Sequence, residues 1–155
     1  MRRPPRPRDE PLLSGALAWH IVFVSLLFLF GVYGMYHYAI ERGYSVGLAR
    51  TLAVNTLVVM EIAHLFFIRN IYGASLTWRA VRGTRVVWVV VVAVAAAQAA
   101  ITYLPALQRI FATEPIPLWD GALVLGIGVT LFAVIETEKQ IRLAFARMRN
   151  LQRKE

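Results

Sequence analysis

The sequence contains no cysteine, so disulfide bridges, thiolate metal sites and cysteine nucleophiles are all excluded. Aspartate is almost as scarce, because only Asp9 and Asp120 are present. A glycine-rich phosphate-binding loop of the P-loop kind is also missing. These absences leave few routes to nucleotide or redox chemistry within the chain.

Apolar residues are abundant instead. They make up 58% of the 155 residues and give a mean hydropathy of +0.56, whereas soluble domains contain about 45–50% apolar residues. The excess falls into four blocks, and each is about as long as the ~20 residues that cross a bilayer as a helix. We predict an all-α integral membrane four-helix bundle with spans at about 15–40, 48–68, 86–104 and 118–135.

The net charge of +8 is distributed around these blocks, which favours an anionic membrane surface over nucleic acid as the partner. Fourteen of the 17 Lys and Arg residues lie in the lead-in, in the connection between the second and third spans, and in the tail. Only Arg42, Arg50 and Arg109 lie on the other side. Because positive charge resists translocation, we predict a multi-pass plasma-membrane protein with both termini in the cytoplasm.

Three regions follow from these patterns. Residues 1–14 form a basic, proline-rich lead-in, residues 15–137 contain the four spans, and residues 138–155 form a basic tail. Apolar residues recur in the tail at helical spacing, which predicts an amphipathic helix on the membrane surface: Ile141, Ala144, Phe145, Met148 and Leu151. Prolines at 105, 115 and 117 exclude a continuous helix between the last two spans.

Glu61 is the main candidate for function. It lies ~10 Å from the inner end of the second span, where an unpaired carboxylate costs several kcal/mol. His64 lies on nearly the same helix face, and Asn55 lies deeper in the span. Glu61 is therefore predicted to bind a cation or proton, with Asn55 and His64 as auxiliary polar groups. The alternative is a neutral Glu61 that is hydrogen-bonded to a neighbouring helix.

Two histidines suggest a different class of protein. His20 and His64 lie at similar depths, so a haem iron could be held between them in a small electron-transfer bundle. Glu61-x-x-His64 also forms half of a di-iron motif, although no second copy exists.

A third alternative is a free-standing membrane scaffold or regulator. Ala93 and Ala97 lie four residues apart in the third span, as do Ala96 and Ala100, and this spacing lets helices approach closely. Glycines could do the same in the fourth span, at positions 121, 126 and 128.

Four stretches of the sequence resemble a known family. In chain order they are MRRPPRPRDEPLL, ARTLAVNTLVVMEIAHLFFIRN, LPALQRIFATEPIPLWDGALVL and IETEKQIRL. They are similar to the link before the seventh helix, the eighth helix, the last outer loop with the start of the tenth helix, and the end of that helix in P-type cation-transporting ATPases. The resemblance is to the calcium-pump-like branch.

This resemblance implies a C-terminal membrane-support domain, as a fragment or a separately encoded piece, that braces the transport helices of a pump core. Glu61 then corresponds to a carboxylate that the eighth helix gives to a cation site, and a cation such as calcium is the only cofactor implied. The family's phosphorylated Asp-Lys-Thr-Gly-Thr motif is absent, so the chain is not expected to be an enzyme by itself. Without the partner helices, the bundle could form a homo-oligomer that covers Glu61.

Overall fold

The computed structural model describes residues 15–68 and 85–152. The predicted lead-in, most of the arginine-rich connection at 69–84, and the last three residues of the tail lie outside the described residues. Most of the Lys and Arg residues that predict the orientation lie in these regions, so the structure does not test that prediction.

The described residues form five helices and no strands. They are α1 (Gly15–Glu41), α2 (Val46–Ile68), α3 (Arg85–Tyr103), α4 (Pro105–Phe111) and α5 (Leu118–Gln152). All but α4 are long and apolar enough to cross a membrane. For the described residues, the prediction of an all-helical fold with four helices able to cross a membrane is confirmed.

Local sequence explains where the helices are interrupted. Gly43 adopts a φ of +74° in the turn after α1, a conformation that glycine reaches without steric cost. Pro105 occupies the first turn of α4, where the missing N–H is not needed. Pro115 and Pro117 lie in the non-helical stretch before α5 begins, where proline prevents the helix from continuing.

α2 is the centre of the bundle. It packs along both α1 and α5 and also touches α3, whereas α1 and α5 meet only slightly. Two apolar clusters result, one at the turn end (the end near residues 42–45) and one at the tail end (the end near Ile68 and residues 136–142). Their buried members are Met35, Ala39, Ala49, Leu52 and Val124 at the turn end. At the tail end they are Val24, Met60, Phe67, Leu131 and Ile135.

Only some of the small residues lie at helix contacts. Gly128 packs so closely on Val59 that a Cβ atom there would collide with the valine side chain. Gly126 has open space around it, and the nearest atom to a Cβ at Gly121 would be 3.9 Å away, on Ile116. In α3, the predicted packing alanines 93, 96 and 97 are exposed and Ala100 is half-buried. α3 therefore leaves most of its alanine face uncovered by the described chain.

The tail belongs to the last transmembrane helix. Residues 138–152 continue α5 without a break, giving a helix of 35 residues. No glycine or proline occurs between Val129 and Gln152, so nothing in the sequence interrupts helical hydrogen bonding. The sequence predicted an amphipathic helix here, and the structure joins it to the fourth span.

Candidate functional site

Glu61 lies on an exposed part of α2 and lines a groove between α1 and α2. The groove has a volume of about 570 Å³, and its polar lining comes from Glu61, His64 and Ser25. Among the side chains that the structure describes, Glu61 has neither a hydrogen-bond partner nor an ion-pair partner. The carboxylate therefore faces out of the chain without a compensating charge from the described helices.

His64 lies beside Glu61 in this groove and belongs to an aromatic stack. Its ring centroid is 5.8 Å from that of His20 and 5.8 Å from that of Phe67. Phe28 meets it edge-on at 6.0 Å. The helical spacing thus places His64 and Glu61 in one groove, while packing directs the imidazole toward α1.

The two histidines are arranged unlike a pair of haem ligands. Their rings stack face to face with an interplanar angle of 24°, whereas axial ligation needs each ring to point a nitrogen at an iron between them. Phe67 also stacks on His20, at 5.0 Å between ring centroids. The faces of both imidazole rings are therefore packed against other aromatic rings. Among the described residues there is also no group of three or more His, Asp or Glu side chains that could hold a metal ion.

Asn55 has a different environment from Glu61. Its amide nitrogen donates to the carbonyl of Thr51 at 2.8 Å and to the hydroxyl of Thr102 at 3.1 Å. Thr102 lies on α3 and is only 1% exposed. Asn55 therefore joins α2 to α3 inside the membrane region and does not line the Glu61 groove.

A buried carboxylate at the turn end did not stand out in the sequence. Asp120 is 2% exposed, and its two oxygens accept hydrogen bonds of 3.1 Å each from the hydroxyls of Tyr38 and Tyr44. These bonds join the start of α5 to α1 and to the turn before α2. The position of Asp120 at the start of an apolar block was the available signal, but the two tyrosines are distant in sequence.

A second polar contact holds the loop before α5 against α2. The hydroxyl of Ser45 donates to the Glu114 carboxylate at 2.6 Å, and the Glu114 backbone N–H donates to the hydroxyl of Thr51 at 3.0 Å. Gly47 permits this approach, because a Cβ atom there would collide with the Glu114 carboxylate. The turn end is thus fixed by hydrogen bonds between elements far apart in the chain.

The tail end contains a buried ion pair that was also missed. Lys139 is 1% exposed, and its Nζ lies 2.7 Å from a carboxylate oxygen of Glu136. The same Nζ lies 4.9 Å from the centroid of the Phe67 ring, a cation–π contact between α5 and α2. Lys139 was assigned to the basic tail by its charge alone, yet it is part of the helix packing.

Comparisons with known proteins agree with this architecture. The sequence matches the model of the family described as "Cation transporting ATPase, C-terminus" over residues 1–141. It is 34% identical over 139 residues to a protein named probable cation-transporting ATPase F from Mycobacterium bovis, and to proteins of the same name from Mycobacterium tuberculosis. The alignment covers 89% of this chain but 15% of each relative, so the chain spans only a small part of their length. The family match concerns the C-terminal membrane domain, and no catalytic domain is evident in it.

Proposed function

Because this chain belongs to the family of cation-transporting ATPase C-terminal domains, we propose that it is the membrane-support part of a P-type pump and braces the helices that carry the cation. In this role the chain hydrolyses no ATP, and its partners are the lipid bilayer and the catalytic core of the pump. Glu61 contributes one carboxylate oxygen ligand to the cation path.

The observation that carries this proposal is the position of Glu61. A carboxylate within a membrane helix must be paired, hydrated or protonated to avoid a cost of several kcal/mol. The described side chains give Glu61 no partner, and its groove is lined by residues of α1 and α2 and by none of the described α5 residues. Transport helices supplied by the pump core, together with a bound cation, would complete the site. Carboxylate oxygens suit hard cations such as calcium.

The rest of the bundle supports the placement of Glu61. α2 is held by α1, α3 and α5, through the Asn55–Thr102 contact as well as apolar packing. A ligand on such a helix keeps its position when neighbouring transport helices move. The chain therefore stays in place and contacts the transport helices of the pump core while those helices move.

We expect Glu61→Gln to weaken cation binding in the assembled pump. The chain would be co-expressed with the remainder of a related P-type ATPase, and cation-dependent phosphorylation of the core would be measured. Because ligand charge sets the affinity of oxygen sites, the half-saturating cation concentration should rise roughly tenfold or more.

The control for this experiment is Glu41→Gln, which removes the same charge from an exposed side chain at the end of α1. It should leave the cation dependence unchanged. Equal cation affinity in Glu61→Gln and the parent over a wide pH range would show that Glu61 is not a ligand. Failure of the chain to associate with any pump core would contradict the support role itself.

We also propose that both termini lie in the cytoplasm, as the arginine and lysine distribution predicts. The absence of cysteine makes a clean test available, since single cysteines can be added at Ser14, Ala106 and Met148. In intact cells, an impermeant maleimide should label only Ala106→Cys, and the other two should react only after the membrane is opened. Labelling of Met148→Cys in intact cells would show that the tail lies outside the cytoplasm and would contradict the proposed orientation.

A further inference from the structure

A second groove lies between α1 and α5, on a different side of α2 from Glu61. It exists because α1 and α5 both pack on α2 but hardly touch each other. Its volume is about 420 Å³, within the range of ~300–1,000 Å³ that small-molecule sites occupy. Gly34 contributes to its wall, and a Cβ atom at that position would have no neighbour within 4 Å.

The lining of this groove is suited to hydrocarbon. Most of its side chains are apolar, and its two hydroxyl groups are already engaged. Tyr38 donates to Asp120 at 3.1 Å, and Thr130 donates to the carbonyl of Gly126 at 2.8 Å. A polar ligand would find no free hydrogen-bonding side chain on this wall, whereas an acyl chain needs none.

The length of the groove matches one leaflet of a bilayer. On α1 the lining runs from Leu27 to Tyr38, and on α5 from Leu123 to Val134. Each wall is therefore ~16 Å long at 1.5 Å per residue. This is about half of the ~30 Å hydrocarbon core. A partner transmembrane helix would need a groove through the full thickness, so the short groove favours a lipid chain.

A positive charge stands at the turn end of the groove. The Arg42 guanidinium lies 4.9 Å from the centroid of the Tyr38 ring, and Tyr38 lines the groove. Arg42 is exposed and makes no ion pair with any residue in the part of the chain that the structure describes. Its guanidinium is thus available to a phosphate at the level where the acyl chain would leave the groove.

We propose that this groove binds one phospholipid of the leaflet next to the α1–α2 turn, with an acyl chain between α1 and α5 and the headgroup phosphate at Arg42. Anionic phospholipids bind better than zwitterionic ones of the same chain length. The site is independent of Glu61 and of the proposed pump function. It would also account for the splayed arrangement of α1 and α5, since the lipid fills the space that direct packing leaves.

Native mass spectrometry of the purified chain tests this proposal. The chain in detergent would be titrated with phosphatidylglycerol or with phosphatidylcholine of identical acyl chains. We expect one retained phospholipid and about a fivefold preference for phosphatidylglycerol, the factor typical of one arginine at an anionic headgroup. Arg42→Gln should remove the preference while keeping the lipid, because the acyl chain still fits.

Two glycine variants supply the decisive comparison. Gly34→Trp fills the groove and should abolish lipid retention, whereas Gly126→Trp adds the same ring at a position that is equally open but outside the groove. Circular dichroism of both variants should show the helix content of the parent chain. Equal lipid retention in the two variants, or no retained lipid in the parent, would overturn the proposal. A parent dimer that Gly34→Trp dissociates, without bound lipid, would assign the groove to a second copy of the chain instead.

Discussion

Replacing Lys139 by methionine is expected to lower the free energy of unfolding by about 3–5 kcal/mol, the usual cost of removing one partner of a buried ion pair. Lys139 is 1% exposed and lies 2.7 Å from Glu136, whose side chain is 13% exposed. Methionine keeps the length of the side chain and its contact with Phe67, but it leaves the Glu136 carboxylate without this charge. Unfolding in mixed micelles with increasing sodium dodecyl sulfate, followed by circular dichroism, measures the change.

The double variant Lys139→Met with Glu136→Gln separates charge from packing. If the buried pair is the cause, the second substitution should recover most of the loss, because neither charge then remains. Arg109→Met serves as the surface control, since Arg109 is exposed on α4 and its loss should have little effect. An equal loss in the single and double variants would attribute the effect of Lys139 to its shape rather than its charge.

Gly128→Leu should produce the second large effect, a loss of about 2–3 kcal/mol from overpacking. The Val59 side chain occupies the place of a Cβ atom at Gly128, and the Val59 carbonyl oxygen would be 3.5 Å away. A leucine can therefore enter only if the Val59 side chain changes its rotamer or α2 and α5 move apart along their shared contact. The same unfolding assay reports the loss, and cross-linking between cysteines placed on α2 and α5 reports the separation.

Gly126→Leu is the matched control, two residues away on the same helix. It has open space, so leucine there should be neutral or slightly stabilising, given that glycine costs about 0.5–1 kcal/mol in a helix interior. The diagnostic result is the opposite sign of the two substitutions. Equal effects would mean that helix propensity, and not the contact with Val59, governs both positions.

The sequence predicts this fold well wherever a property is local. Span length depends on a run of apolar residues, so the four long helices could be found without a structure. Glu61 and His64 share a groove because both lie on one helix at a spacing of three residues. The family resemblance, confirmed by the match over residues 1–141, rests likewise on ordered stretches of sequence.

Properties that depend on which helices meet could not be predicted. The sequence indicates Asn55 as a polar neighbour of Glu61 on the same helix, but its partner Thr102 is 47 residues away, on a helix whose position only packing decides. Lys139 looked like a solvated tail residue, and its burial follows from the contact between α5 and α2. The alanines of α3 are a further example, because their spacing permits a close helix contact but does not indicate which helix makes it.

The central position of α2 has a consequence for how this protein is made. α2 is synthesised before α5, yet part of the packing around Met60 and Phe67, the side chains of Leu131 and Ile135, comes from α5, the last of the described helices to be synthesised. While α3 is being inserted, the face of α2 that contacts α5 in the finished fold still lacks that partner. The α2–α5 contact therefore forms only after α5 has been inserted, so substitutions at this contact affect the last step of helix packing among the described helices.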